Sequence, residues 1–371
     1  MPHSLTASLT KVSILGAAGG IGQSLSLLLK TQLNMYLGDL QNTHIHLALY
    51  DVNQNVLEGF AADLSHVDTP ISVSYHSSST PNGIRDCLVN TDLILIPAGV
   101  PRKPGMTRED LLSINAGIIS QLTESIEAHA DLSRVFVLII SNPVNSLVPV
   151  MVEKLNRSAA SEGLQIERRV FGITTLDTVR ASTFLREVMV KHDPTTISDP
   201  LPQVPVIGGH SGETIMPLFS LAQPFWQLSA DERKYLVHRV QFGGDEIVKA
   251  KKGLGSATLS MAHAAFKETV KFLTLIIGKS RTIQGTFYIS LLNREKAPVN
   301  ESARKLLPLI ANQPYFSVPV TIEPANGYTD IYYKIVEVMD KYERNTMLPQ
   351  CLSKIGSSIE AGVSIGSADK S

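Results

Sequence analysis

Short apolar runs alternate with longer amphipathic segments in the first half of the chain. The runs that predict buried strands are residues 12–15, 46–50, 92–96 and 135–140. They are continuous stretches of Val, Ile and Leu, which are typical of parallel strands covered on both faces. Residues 21–33 predict a helix after the first strand, and residues 34–43 a polar loop. This alternation predicts an α/β fold with a doubly wound parallel sheet.

The pattern changes after about residue 165. The later segments predict a proline-rich surface loop at 191–203, helices at 235–250, 256–278, 332–348 and 351–359, and strands at 284–292 and 316–322. A chain of 371 residues is long enough for two domains. We therefore expect the parallel sheet in residues 1–168 and an α+β domain in residues 169–371.

The composition narrows the class of protein. Apolar residues make up 43% of the chain and charged residues 18%, which excludes a disordered chain. Lys plus Arg is 33 and Asp plus Glu is 34, so there is no basic excess to bind nucleic acid. Two cysteines cannot build a disulfide framework, which fits a reducing compartment.

Residues 12–29 carry no charge, and Gly16 and Gly20 have G-x-x-x-G spacing, so a membrane helix is the alternative for this segment. Its four glycines and its Ser and Gln residues weaken that interpretation, and no membrane association is predicted. Residues 1–10 lack the arginines of a transit peptide, and residues 369–371 are not the S-K-L signal. We expect a cytoplasmic protein.

Gly16, Gly19 and Gly22 follow the first predicted strand and begin the first helix. Glycines there permit a tight turn and close approach to a diphosphate, and the helix N-terminus offers free N–H groups. Asp51 ends the second strand, where a carboxylate can bind a ribose diol and would repel a 2′-phosphate. A plain turn is the alternative for both features. In this order they favour an NAD-binding Rossmann domain.

Four further motifs carry a resemblance to a known family. They are residues 100–108 (VPRKPGMTR), 141–145 (SNPVN), 175–180 (TLDTVR) and 207–212 (IGGHSG). With the glycine loop, they resemble malate dehydrogenases of the bacterial and mitochondrial type over about residues 11–350. The resemblance implies an NAD-dependent enzyme that interconverts (S)-malate and oxaloacetate.

The resemblance assigns the reacting groups. His210 is the expected general acid and base, because an imidazole suits proton transfer near neutral pH. Asp177 is expected to hold that imidazole in one tautomer. Arg180 is expected to grip one substrate carboxylate in a bidentate fork, on the same helix face as Asp177. The alternatives are that His210 is an ordinary loop histidine, Asp177 a helix cap and Arg180 a solvated surface charge.

By the same resemblance, Arg108 polarises the reacting carbonyl, Arg102 holds the second carboxylate, and Asn142 donates to the substrate. A monocarboxylate would leave Arg102 buried without a partner, at a cost of about 3–5 kcal/mol. This favours malate over lactate. The expected cofactor contacts are Asn115, Ile140, Ser141, Asn142 and Met261. Core packing is an equal alternative for Met261.

The resemblance also implies a homodimer, with Asp63 and His66 on a helix of the subunit interface. His44 and His46 are spaced to share a strand face, but no further ligand joins them, so no metal site is predicted. Residues 191–203 and 291–330 depart from the family pattern. A lactate-type dehydrogenase and an inactive NAD-binding scaffold remain the competing hypotheses.

Overall fold

The computed structural model describes residues 8–38, 43–101 and 108–368. The strands in these ranges are β1 (Ser8–Leu15), β2 (Thr43–Asp51), β3 (Ser72–Ser77), β4 (Leu93–Ile96), β5 (Phe136–Ile139), β6 (Val170–Ile173), β7 (Val206–Gly208), β8 (Ile215–Pro217), β9 (Ile283–Ser290), β10 (Tyr315–Glu323) and β11 (Gly327–Ile331). The α-helices are α1 (Gly20–Leu37), α2 (Gln54–Ser65), α3 (Gly83–Leu88), α4 (Arg108–His129), α5 (Val144–Arg157), α6 (Thr175–His192), α7 (Ala230–Ala250), α8 (Leu259–Ile276), α9 (Glu301–Leu306), α10 (Ile335–Val338) and α11 (Leu348–Ser367).

The strands of both halves join one sheet. Its first six strands are parallel in the order β3-β2-β1-β4-β5-β6. Strand β9 then pairs antiparallel with β6, and β10, β7, β8 and β11 continue the antiparallel part. The predicted fold class, a doubly wound parallel sheet followed by an α+β part, is confirmed. The carboxyl ends of the parallel strands share one edge, where α/β proteins bind their ligands.

Aromatic side chains bridge the two parts of the sheet. Phe171 on β6 packs against Phe272 on α8 and Phe287 on β9, with ring centroids 5.2 Å apart in edge-to-face geometry. Phe136 on β5 completes the cluster at 5.2 Å from Phe272. Such pairs add about 0.5–1.5 kcal/mol each to the burial of their area. The junction between the two predicted domains is therefore a packed core, and the boundary at residues 168 and 169 stays a prediction.

Helix α11 packs closely on α5 through glycines. A Cβ atom at Gly362 would lie 2.2 Å from the Ser146 carbonyl oxygen, and one at Gly366 would lie 2.6 Å from the Val150 oxygen. Because no side chain separates the two backbones, the C-terminal helix holds the first turn of α5 in place. That turn follows β5 and lies at the edge of the sheet that carries the candidate site.

The predicted loop at residues 34–43 is wrong at its start, since α1 continues to Leu37. The helix ends at Gly38, whose φ of 63° falls in the left-handed region. The Gly38 N–H donates to the Asn34 carbonyl, and Leu37 is buried. The buried face of α1 thus extends about one turn beyond Leu33, into the segment whose polar residues predicted a loop.

The predicted helix at residues 332–348 is also wrong. Only Ile335–Val338 is α-helical before a break at Asp340. The Asp340 carboxylate accepts the Glu343 N–H at 3.0 Å, and the Glu343 carboxylate accepts the Asp340 N–H at 3.1 Å. This reciprocal cap starts a new helix, which passes through a π turn at Glu343–Met347 into α11.

Three histidines form a hydrogen-bonded chain across β2 and β3. Ser72 Oγ lies 2.7 Å from His44 Nε2 and 2.7 Å from His46 Nδ1. Ser74 Oγ lies 2.8 Å from His46 Nε2 and 2.9 Å from His76 Nε2. Each hydroxyl can accept from one ring and donate to the next, so all four hydrogen bonds can form with neutral imidazoles.

This chain predicts a loss of stability in acid. The pKa of His46 is lowered to about 4, first by burial and then by the charges of Lys11, His44 and His76. A lowered pKa in the folded state means stability that is present above the unfolded pKa of about 6.5 and lost as the pH falls toward 4.

We expect His46→Gln to weaken this acid sensitivity. Between about pH 7.5 and pH 5, the free energy of unfolding should fall by about 1 kcal/mol more in the wild type than in His46→Gln, after discounting for solvent screening. Urea unfolding at both pH values measures it, with His129→Gln as the matched control. Equal losses in the wild type and in His46→Gln would contradict the prediction.

Candidate active site

The turn between β1 and α1 and the first turn of that helix, residues 16–22, form a glycine cradle. The N–H groups of residues 16–19 are hydrogen-bonded within the protein. Gly16 has φ of 100°, and a Cβ atom there would lie 2.5 Å from Ala98 Cα. A Cβ at Gly22 would lie 2.3 Å from the Gly16 oxygen. Gly19 caps α1 without any side-chain hydrogen bond, so the first N–H groups of the helix remain available to an anion. These are the predicted cofactor glycines.

Asp51 links the end of β2 to this cradle. Its Oδ2 accepts the Ala18 N–H at 2.9 Å, and its Oδ1 accepts the Asn53 N–H at 3.0 Å. The side chain is partly exposed, and each oxygen retains further acceptor capacity for a ribose hydroxyl. The carboxylate thus lies where the NAD hypothesis needs it, and its contact with ribose stays a prediction.

The ends of β4 and β5 are tied together beside the cradle. The Ser141 hydroxyl donates to the Ile96 carbonyl at 2.8 Å, and the Ile140 N–H donates to the same oxygen at 3.0 Å. The buried Asn115 of α4 accepts the Val100 N–H at 2.9 Å and donates to the Asn142 carbonyl at 2.7 Å. Asn115 therefore holds the loop ends, and the Asn142 side chain is left exposed.

The structure brings together the two residues that were predicted to form the acid and base pair. His210 follows β7, and its Nδ1 lies 2.6 Å from Oδ2 of Asp177 in the first turn of α6. The Asp177 carboxylate is completely buried, and the imidazole is 7% exposed. Because an ionised carboxylate only accepts hydrogen bonds, a neutral imidazole in this position has its proton on Nδ1 and the lone pair on Nε2.

Asn145 is a site residue that sequence reasoning did not single out. Its Oδ1 accepts the His210 backbone N–H at 2.8 Å, and its Nδ2 donates to Ser211 Oγ at 3.1 Å and to Thr214 Oγ1 at 3.3 Å. The side chain is buried. It fixes the loop that carries the histidine, and only its place in the SNPVN motif signalled it.

Arg180 lies one turn beyond Asp177 on the same face of α6. Its Nη1 is 3.9 Å from Asp177 Oδ1, which has no hydrogen-bond partner among the described residues. Burial lowers the pKa of Arg180, and the charges of Asp177 and Glu246 counteract it. A Cβ at Gly243 of α7 would lie 3.0 Å from Arg180 Cδ, so this glycine makes room for the guanidinium.

Two family models cover nearly the whole chain. The NAD binding domain of lactate/malate dehydrogenase matches residues 10–172, and the α/β C-terminal domain of the same family matches residues 174–365. The chain belongs to the lactate/malate dehydrogenase family. It is an NAD-dependent oxidoreductase, and the glycine cradle fits that cofactor because side chains are excluded where the diphosphate must approach the backbone.

The relatives that are similar in sequence include named malate dehydrogenases. The chain is 55% identical to "Malate dehydrogenase, cytoplasmic" of Saccharomyces cerevisiae, over 98% of this chain and 97% of the relative. It is 42% identical to the protein of the same yeast named "Malate dehydrogenase, mitochondrial", over 95% and 93%. The solved malate dehydrogenase of Cryptosporidium parvum shares the fold, with a TM-score of 0.67 at 23% identity over 96% of this chain and all of that one.

The roles predicted for three further residues of this dehydrogenase stay predictions. Arg102 lies outside the described residues, and Arg108 is the first residue of α4, with its side chain not described. Met261 is buried in the first turn of α8, and its place beside the nicotinamide stays a prediction.

Metal-ligand clusters and membrane-spanning helices are both absent from the described part of this dehydrogenase. Within residues 8–38, 43–101 and 108–368, no group of three or more His, Cys, Asp or Glu side chains could hold a metal ion. In the same ranges no helix has both the length and the apolar character needed to cross a membrane.

Proposed function

We propose that this protein is an NAD-dependent malate dehydrogenase that interconverts (S)-malate and oxaloacetate. The observation that carries the proposal is the His210–Asp177 pair beside Arg180, at the sheet edge that also bears the glycine cradle. The 55% identity with a relative named malate dehydrogenase, over nearly the whole length of both chains, supports the substrate.

The paired His210 performs the proton transfer. In malate oxidation its Nε2 takes the hydroxyl proton at carbon 2, and Asp177 stabilises the imidazolium that forms. The chemistry that bound NAD would supply is acceptance of the hydride from the same carbon. In the reverse direction the imidazolium returns its proton to the carbonyl oxygen of oxaloacetate. Burial of Asp177 keeps the pair apart from water, which strengthens its electrostatic interaction.

Arg180 binds the carboxylate next to the reacting carbon. Because the guanidinium stands 3.9 Å from Asp177 without a hydrogen bond, its parallel N–H groups remain available for a bidentate contact. We propose Asn142 as a donor to the substrate, Arg108 as the group that polarises the carbonyl, and Arg102 as the partner of the second carboxylate.

One assay tests this function against its competitors. Purified protein is mixed with NADH and then with oxaloacetate or pyruvate, and the loss of NADH absorbance is followed. Rapid loss with oxaloacetate and slow loss with pyruvate supports the proposal. Preference for pyruvate indicates a lactate-type enzyme, and no loss with either acid indicates a scaffold. Both of these results contradict it.

We expect Arg102→Gln to shift preference from oxaloacetate toward pyruvate. The glutamine removes the charge that pairs with the second carboxylate and the desolvation penalty that a monocarboxylate incurs, about 3–5 kcal/mol. The ratio of kcat/KM for oxaloacetate to that for pyruvate should fall about a hundredfold or more. The matched control is Arg85→Gln, an exposed arginine on α3. An unchanged ratio would reject the role of Arg102.

We also propose a homodimer in which α1 and α2 face the second copy. A groove between these helices is lined by Leu27, which is 48% exposed, Phe60 and Asp63, and His66 caps the end of α2. The exposed apolar surface supports burial by a partner copy. Sedimentation equilibrium tests this: a particle of about 40.3 kDa, the mass of one chain, contradicts it.

A cytoplasmic location is proposed on the same basis. The yeast relative with 55% identity is named cytoplasmic, whereas relatives at 42% and 40% are named mitochondrial and peroxisomal. Imaging of the full chain, tagged internally at an exposed loop, tests the proposal. Accumulation in an organelle would contradict it.

A further inference from the structure

The segment between α7 and α8, residues 251–258, contacts the start of α1 in the glycine cradle. It turns sharply through Lys252, Gly253 and Gly255, whose φ values are 53°, 79° and 147°. At its end, Thr258 approaches the N-terminus of α1. A Cβ atom at Gly20 would lie 2.9 Å from Thr258 Cγ2 and 3.9 Å from Thr258 Oγ1. The Thr258 side chain therefore stands against the start of α1, beside the cradle.

Lys251 is hydrogen-bonded to this threonine. Lys251 Nζ donates to the Ser256 carbonyl at 2.7 Å and to Thr258 Oγ1 at 3.1 Å. The Thr258 hydroxyl in turn donates to the Ser256 carbonyl at 3.2 Å. Two of the three ammonium protons are thus used, and the third remains for another acceptor. Among the described residues, no carboxylate forms an ion pair with Lys251.

The cradle itself brings no positive side chain. Residues 16–24, which form the turn and the start of α1, contain neither lysine nor arginine. Backbone N–H groups and the helix dipole supply only partial charges to the anion. A diphosphate carries negative charge that a full cation within hydrogen-bonding reach would stabilise further. The Lys251 ammonium lies 3.1 Å from Thr258 Oγ1, and that oxygen would lie 3.9 Å from a Cβ atom at Gly20.

We propose that Lys251 binds the diphosphate of NAD, with Ser256 and Thr258 holding its ammonium beside the glycine cradle. The inference rests on the NAD site of the proposed function and adds a residue from the second half of the chain to it. The lysine is a binding residue for the cofactor and takes no part in proton transfer.

Lys251→Met tests the charge, with three ligands titrated by calorimetry: NADH, ADP-ribose and adenosine. ADP-ribose retains the diphosphate, and adenosine lacks it. We expect the dissociation constants of NADH and ADP-ribose to rise together, by about fivefold to tenfold, and that of adenosine to stay the same. The dependence of ADP-ribose binding on salt should also weaken. Lys251→Arg should retain most of the affinity.

Two further variants separate contact from folding. Thr258→Val keeps a methyl group against Gly20 and removes the hydroxyl, and it should weaken ADP-ribose binding by about twofold to fivefold. Lys249→Met removes the same charge at the exposed end of α7 and should change none of the three constants. Unchanged adenosine binding reports that the variants retain the folded site.

Several outcomes would overturn the inference. If Lys251→Met binds ADP-ribose as the wild type does, the lysine does not contact the diphosphate. If NADH alone is weakened, the segment acts on the nicotinamide side, and the proposal is again wrong. If Lys249→Met weakened ADP-ribose binding equally, the effect would come from the net charge of the protein and not from a contact of Lys251. A wild type that binds neither NADH nor ADP-ribose would overturn the proposed function as well.

Discussion

Replacing His210 by glutamine lowers kcat for oxaloacetate reduction by about a thousandfold to ten-thousandfold. A glutamine can hydrogen-bond to Asp177 but cannot transfer a proton near neutral pH, and positioned acid–base groups contribute about 10² to 10⁴ in rate. The dissociation constant of NADH should stay within about twofold, because the cradle and Asp51 lie on other elements. Stopped-flow reduction of oxaloacetate and NADH titration measure the two quantities.

Asp177→Asn distinguishes the orienting role from a general loss of structure. The asparagine amide would donate to Nδ1 and force the proton onto Nε2, which reverses the tautomer. We expect kcat to fall about a hundredfold or more. His129→Gln, at the far end of the 22-residue helix α4, should leave kcat unchanged.

A His210→Gln enzyme that keeps a tenth of wild-type kcat would show that another group transfers the proton.

The parallel half of the fold was predictable because its strands are buried on both faces. Residues 93–96 and 136–139 are wholly apolar and wholly buried, so composition alone marks them. Strands β7 and β8 have three residues each, too few to show a period, and the sequence analysis missed them. The break at Asp340 was missed because its cap depends on two reciprocal carboxylate hydrogen bonds, which apolar periodicity does not reveal.

The candidate site divides in the same way. His210 and Asp177 are 33 residues apart and were paired by the family resemblance, and their 2.6 Å contact places them as the hypothesis requires. Asn145 reaches the same loop across 65 residues, and no local pattern indicates that contact. Gly243 lies within a helix, where glycine ordinarily weakens stability, and only the packed Arg180 explains it.

Replacing Arg180 by methionine lowers kcat/KM for oxaloacetate by about a thousandfold or more. Methionine fills part of the space between α6 and α7 but leaves the substrate carboxylate without a partner in a buried site, which costs about 3–5 kcal/mol. It also removes the positive charge that lies 3.9 Å from Oδ1 of Asp177. We therefore expect kcat to fall and KM to rise. The affinity for NADH should not change, since the arginine lies on α6, away from the glycine loop.

Arg180→Lys separates charge from geometry at the same position. A lysine keeps the positive charge as a point and loses the planar fork, so we expect it to recover only part of the lost kcat/KM, about tenfold. Arg304→Met is the matched control, because that arginine is 71% exposed on α9. Full recovery by lysine would show that charge alone suffices. If the methionine variant lost NADH affinity as strongly as turnover, the guanidinium would be a structural element rather than a substrate ligand.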